Sequence, residues 1–222
     1  MPIYHDVAQY SEAYDRLKLG IPTSSNFHKI ITPQGKPSKQ WREYACVLIA
    51  ERLMQQKIEF YNSPAMERGL IVEAEAADWY EFDQDAVTQR VGFITDDDHT
   101  MGCSPDRLVG EDGLLEIKAP LPHTQVEYWI SGKFHERFWP QLQGQLYITQ
   151  RCWVDILCWH DVLPSLSCGL SPMRRSSKRS TTNCRSSITL SRAWWKRSAP
   201  SINCRCHRAD WRCGQRCAQA SK

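Results

Sequence analysis

Apolar positions recur along this chain with two different periods. Over residues 39–57 they follow the helical one. Trp41, Tyr44, Ala45, Leu48, Ile49 and Leu53 fall on one face, the stripe an amphipathic helix turns to a core. A second helix is expected over residues 63–82. Ser63 suits its N-cap and Pro64 its first helical position. Leu70, Glu73, Ala77 and Tyr80 share a face there, so Glu73 points where an apolar residue is expected. A carboxylate buried at that place needs a partner or a metal; at the stripe's half-exposed edge it needs neither. The period then shortens to two. Residues 89–95 read as a strand, and residues 106–110 and 113–119 as two more, joined by a tight turn at Gly110-Glu111-Asp112-Gly113. In the second of the pair, alternation puts Glu116 and Lys118 on one face and Leu115 and Ile117 on the other. Helical stretches follow at 122–131 and 136–150. Residues 152–159 read as a strand with Val154, Ile156 and Cys158 on one side. Before all of these, residues 11–30 form a short helix and loop, and residues 32–39 a polar loop with Gly35 and Pro37. Helices, a strand meander, helices and a strand make an α/β or α+β layer: a central mixed sheet flanked by helices.

Charge divides the chain in two. The net charge of +3 over 222 residues hides a split. Residues 1–160 carry 15 basic and 23 acidic side chains, whereas residues 161–222 carry 13 basic ones against Asp161 and Asp210. Six of the ten cysteines also fall after residue 160. No apolar run reaches the roughly 18 residues of a membrane span, and the first ten residues lack a secretory pattern. The expected compartment is therefore the cytoplasm, with reduced thiols. Cys46, Cys103, Cys152 and Cys158 are expected as small buried hydrophobes, and Trp129, Trp139, Trp153 and Trp159 as core. His28, His99, His123 and His135 show no metal-binding spacing.

The paired strands at 106–119 carry the candidate chemistry. Phosphodiester hydrolysis calls for one or two Mg²⁺ ions on hard oxygen ligands, with open positions for water and phosphate. A nearby cation orients the water or stabilises transition-state charge. An Asp at the start of one strand, with a Glu and a Lys two apart on its partner, meets that need. Asp106, Glu116 and Lys118 are those residues, and the Ile117 carbonyl adds an oxygen. Solvated Asp, Glu and Lys on strands are common, so the pattern alone leaves an ordinary exposed hairpin open.

Ser104-Pro105-Asp106, Gly113-Leu114-Leu115-Glu116-Ile117-Lys118 and Gln141-Leu142-Gln143 resemble the lambda-type phage exonucleases. These form the YqaJ-like viral recombinase branch of the PD-(D/E)xK nucleases, with a restriction-endonuclease-like core. Leu17-Lys18-Leu19-Gly20-Ile21 and Thr23-Ser24-Ser25 resemble that family's N-terminal segment, and the helix with Gly69 and Glu73 its acidic helix. The resemblance runs from about residue 12 to about 166. It implies that Asp106, Glu116, the Ile117 carbonyl and Glu73 hold Mg²⁺, or Mn²⁺, and that Lys118 serves the attacking water. It implies a 5′-phosphate pocket from Lys18, Ser25, Ser104 and Gln141. Lys18 stands where the family has an arginine, which keeps a charge and loses the bidentate fork. Asp96, with neighbours Asp97 and Asp98, matches a further functional acid to within a residue, and Gln143 is a possible addition. The implied activity is 5′→3′ exonucleolysis from double-stranded DNA ends, leaving a 3′ strand for recombination. The implied assembly is a ring-shaped homotrimer working with a single-strand annealing protein, encoded by a phage or prophage. An inactive remnant with at most DNA-binding activity, or an endonuclease of the same superfamily, are the alternatives.

Residues 167–222 contain no Glu, Phe or Tyr and show no stable period. Three readings compete: a basic DNA-binding tail, a zinc module on Cys204, Cys206, His207, Cys213 and Cys217, and a translation in a shifted frame. The zinc spacing matches no standard ligand pattern. The genetic code favours the shifted frame. If one base is missing near codon 166, Trp195 after Trp194 forces Val, Lys196 after Trp195 forces Glu, and Arg174 after Met173 forces Glu or Ala. One compatible string reads as a short strand and an acidic amphipathic helix. The expected organisation is a nuclease core over residues 1–166, lacking its final strand and helix, and a disordered tail over 167–222.

Overall fold

In a computed structural model, residues 2–58 and 64–170 are described, the side chains of 64–68 and 70 excepted. The elements run β1 (Ile3–His5), α1 (Glu12–Lys18), a 3₁₀ turn (Ser24–Lys29), α2 (Trp41–Met54), α3 (Pro64–Gln84), β2 (Thr88–Gln89), β3 (Phe93–Thr95), β4 (Gly102–Cys103), β5 (Arg107–Val109), β6 (Gly113–Lys118), α4 (Pro122–Ser131), α5 (Phe138–Thr149), β7 (Trp153–Cys158) and β8 (Leu166–Leu170). They build a five-stranded sheet of order β2-β5-β6-β7-β8 and a three-stranded sheet of order β1-β3-β4. β6 and β7 are parallel and their other neighbours antiparallel. The mixed α/β architecture expected from the alternating periods is the one observed.

Two apolar layers sandwich the larger sheet. Leu108, Leu114, Val154 and Ile156 pack with Leu142 and Leu146 of α5 and with Phe27, Ile30 and Ile31. Val109, Leu115, Ile117 and Leu157 pack with Ala76, Ala77 and Tyr80 of α3. The period of two thus sends alternate residues of β6 to different helices, which puts Glu116 on the α5 side. Gly144 lets α5 come close to the 3₁₀ turn, since a Cβ there would lie 2.2 Å from the Phe27 ring. Gly110, at φ +50°, supplies the left-handed residue of the β5–β6 turn.

Several expectations shift. Residues 89–95 are not one strand: β2 joins the large sheet and β3 the small one. On α2, Tyr44, Leu48 and Glu51 are the buried residues, while Ile49 and Leu53 face outward. Cys103 and Cys158 are buried, but Cys46 is exposed and Cys152 half-buried. Trp159 is buried, Trp139 and Trp153 half-buried, and Trp129 exposed. The boundary placed at 166 falls inside a strand pair. Written as Leu-Ser-Cys-Gly-Leu, β8 still hydrogen-bonds along β7, from Cys158↔Leu166 to Val154↔Leu170. Backbone pairing of this kind asks little of side chains. The expectations for residues 171–222, including the tail cysteines, lie outside the described residues. Among the described residues no helix is long and apolar enough to cross a membrane.

Candidate active site

Asp106 immediately precedes β5, and β6 runs antiparallel beside it. Its Oδ2 accepts the Ile117 N–H at 2.6 Å. The hairpin therefore brings Asp106 against the Glu116-Ile117-Lys118 segment, as the strand alternation requires. Glu116 is 3% exposed. Its Oε1 accepts Lys118 Nζ at 2.5 Å and Gln141 Nε2 at 2.6 Å, and its Oε2 accepts Gln145 Nε2 at 2.5 Å. Four groups from β6 and α5 thereby form one buried polar knot beneath Asp106.

Its electrostatics are those of carboxylates crowded in a dry place. Burial first, and then the Glu116 carboxylate, push Asp106 well above the ordinary carboxylate range; Lys118 and the Ile117 N–H pull the other way. Burial would lower Lys118, but Glu116 and Asp106 outweigh it and the ammonium is held above its usual value. Two neighbouring carboxylates, one of them buried, with one cation beside them leave an excess of negative charge. Mg²⁺ commonly takes one or two protein carboxylates and completes its shell with water and phosphate. Asp106, Glu116 and the Ile117 carbonyl are hard oxygen donors of that kind, so the residues present fit such an ion.

Glu73 is placed differently. Arg107 pairs with Leu115 across the strands, so its side chain leaves on the α3 side of the sheet. There Arg107 Nη1 donates to Glu73 Oε1 and, at 2.6 Å, to the Asp106 carbonyl. The inward-pointing Glu73 read from the helix pattern has found a cationic partner. Among the described residues no three His, Cys, Asp or Glu side chains close around a common point.

Of the four residues proposed for a phosphate pocket, two are joined. Tyr14 Oη lies 3.0 Å from Ser104 Oγ and accepts from Lys18 Nζ at 3.3 Å. Lys18 also lies over the Tyr14 ring, 4.4 Å from its centre. Burial, and then Lys57, bring Lys18 down to about 8; burial raises the Tyr14 phenol to about 12. Gln141 is committed to Glu116 instead. Ser25 is exposed, its hydroxyl 3.3 Å from that of Thr23. Asp96 closes a loop: it accepts from Thr100 N at 2.7 Å, from Met101 N at 3.0 Å and from the Thr100 hydroxyl. Gln143 is buried with its Nε2 unpartnered and takes no part in the knot.

Gln145, Arg107 and Tyr14 went unread in the sequence. Gln141 and Gln145 stand one helical turn apart, a spacing that signals a shared target. Arg107 left no comparable sign, because Glu73 comes from a distant segment; Tyr14 has Lys18 one helical turn away, but Ser104 lies 90 positions on.

A family model described as the YqaJ-like viral recombinase domain matches residues 13–152. No curated protein matches the chain. Among solved structures, the alkaline exonuclease LHK-Exo of Laribacter hongkongensis is 27% identical, with a TM-score of 0.66 over 84% of this chain and 91% of that one. The same enzyme crystallised in complex with dAMP matches with the same figures. A phage-related exonuclease from Haemophilus somnus 129PT, 10% identical, shares the fold alone, with a TM-score of 0.52 over 79% of this chain and 93% of that one. The family match runs from α1 to the residue before β7 and so takes in the whole Asp106–Glu116–Lys118 hairpin and both of its glutamines; the chain belongs to the YqaJ-like viral recombinase domain family.

Proposed function

We propose that this protein is a Mg²⁺-dependent 5′→3′ exonuclease that degrades linear double-stranded DNA from its ends and leaves a 3′ single strand for recombination. The observation that carries the reading is Asp106 set against the buried Glu116 on the neighbouring strand, with Lys118 paired to Glu116. Asp106, Glu116 and the Ile117 carbonyl would hold the ion. When bound, Mg²⁺ lowers the pKa of a water and neutralises charge on the phosphate. Lys118 Nζ, kept protonated by its two carboxylate neighbours, would orient the attacking water and face the charge that develops on phosphate oxygens. Gln141 and Gln145 fix the Glu116 carboxylate, so its oxygens present one geometry to the ion. Lys18, Ser104 and Ser25 bind the 5′-phosphate, with Tyr14 setting the positions of the first two. LHK-Exo has been crystallised with dAMP, a mononucleotide of the class such a reaction releases. In this reading the protein works as a ring-shaped homotrimer and passes its 3′ strand to a single-strand annealing protein.

The test is digestion of 5′-phosphorylated linear duplex, with covalently closed circular duplex as control. Activity on the linear form should require Mg²⁺ or Mn²⁺ and fall by at least ~100-fold in Asp106→Ala, Glu116→Ala and Lys118→Ala. A 5′-hydroxyl end should be cut more slowly than a 5′-phosphate end. Undiminished cutting by Asp106→Ala would refute the site, and equal cutting of the circle would make the protein an endonuclease.

A further inference from the structure

Tyr10 is absent from the site just described, yet it leans on Tyr14, which joins Lys18 to Ser104. It sits in the turn before α1, and both sides of that turn are pinned. Gln9 Nε2 donates to the Val91 carbonyl at 2.9 Å. Ser11 caps α1, its Oγ accepting the Tyr14 N–H at 3.2 Å, and its own N–H donates to the Ala8 carbonyl. Between these anchors Tyr10 adopts φ +66°, a left-handed conformation that bulky residues seldom take. The turn thereby throws its ring outward, and the side chain is 65% exposed. One side leans on Tyr14 at 5.9 Å between ring centres and 44° between planes. Through Tyr14 it adjoins Ser104, whose Oγ lies 3.0 Å from Tyr14 Oη and which stands two residues before Asp106; burial, then Asp106, Glu73 and Glu116, push the Tyr10 phenol up. An exposed aromatic face, held by a strained and anchored turn and leaning on the tyrosine that joins Lys18 to Ser104, is not packing for a core. Disfavoured backbone of this kind gathers at functional sites.

We propose that the Tyr10 ring is the platform on which the base of the 5′-terminal nucleotide stacks, holding the end of the strand over Asp106 and Glu116. This rests on the nuclease reading above and adds to it the group that grips the base. The phosphate is held by charge, which says nothing about the rest of the nucleotide. A face-on aromatic supplies the second point of attachment. Every base offers a π-face, so the grip is indifferent to sequence, as an enzyme that removes each nucleotide in turn requires. The contact is made by the ring and not by the hydroxyl, so phenylalanine and tryptophan should serve in its place.

The test uses the full chain and a blunt duplex with a 5′-phosphate and 2-aminopurine as the 5′-terminal base, bound in Ca²⁺. Stacking quenches this base. The expected result is quenching by the unaltered chain and by Tyr10→Phe or Tyr10→Trp, and its loss in Tyr10→Ala. In Mg²⁺, Tyr10→Ala should raise KM by roughly 5- to 150-fold, the range that base–aromatic stacking supplies, with a smaller change in kcat. Equal quenching and equal KM in Tyr10→Ala, from a chain that cuts linear duplex, would overturn this inference alone. A chain that neither binds nor cuts the duplex would overturn it together with the nuclease reading.

Discussion

Asp106 is half-buried beside the buried Glu116, and loss of solvent, then the Glu116 charge, make the Asp106 carboxyl costlier to ionise. Because Asp106 is raised above its ordinary value, the folded chain holds a proton there that the unfolded chain releases. Without a cation, stability should therefore fall as pH rises from the ordinary carboxylate range towards the raised value. Asp106→Asn should melt higher than the unaltered chain at pH 8 in a chelator, with a smaller difference at pH 5. Added Mg²⁺ should raise the melting temperature of the unaltered chain and leave the variant unmoved. A variant that still gained stability from Mg²⁺ would place the ion elsewhere. Lys18 supplies a second pH signature. Its ammonium is brought down to about 8 by burial and Lys57, so its charge on a 5′-phosphate fades above that pH. The same burial costs stability while the group is charged, below about 8, and the cost is relieved as pH rises towards its ordinary value. The rate advantage of 5′-phosphate over 5′-hydroxyl ends should shrink between pH 7 and 9. In Lys18→Arg it should persist, since guanidinium stays charged.

Elements carry the site through a few polar clasps. Glu51 is buried on α2 and accepts the backbone N–H groups of Gly20 and Ile58, each at 3.2 Å. It ties the segment after Lys18 to α2. Glu51→Ala leaves two donors unsatisfied and should cost about 1–3 kcal/mol, read from the denaturant midpoint. It should weaken the 5′-phosphate preference without removing metal dependence; unchanged stability would mean that water replaces the carboxylate. The elements themselves were largely legible. The spans 122–131 and 113–119 became α4 and β6 with at most a residue's difference, because strong turn residues bound them and their periods are clean. Residues 89–95 misled, since one stretch of strand character was divided between two sheets by pairing partners far along the chain. On α2 the apolar stripe was right at Tyr44 and Leu48 and wrong at Ile49 and Leu53. A helix can bury only the arc its neighbours cover, and Glu51 lies on that arc.

For the whole molecule, the end of the large sheet matters most. β8 borders a groove of about 450 Å³ lined, among the described residues, by Phe134, Phe138, Trp139, Leu142, Ile156, Cys168 and Leu170. In the frame restored by one inserted base, position 168 becomes Leu, Met or Val whatever the serine codon before it, so an apolar side chain stands there. We expect the frame-restored chain to melt at a higher temperature and to cut linear duplex faster than the chain as written. Equal melting and equal rates would make residues 167–222 a working segment and dispose of the shifted frame. The sequence by itself determined the alternation that sets Glu116 and Lys118 on one face, the hairpin that brings Asp106 beside them, and the layering of helices on a mixed sheet. Those are local consequences of side-chain period and turn chemistry, and a single sequence contains them. Only the tertiary structure decided that Gln145 joins Gln141 on Glu116, that Arg107 takes Glu73, and that Tyr14 bridges Lys18 and Ser104. Each of these pairs residues from different elements, up to 90 positions apart in the case of Tyr14 and Ser104. Their meeting depends on how sheets and helices pack, and no periodicity along the chain encodes it.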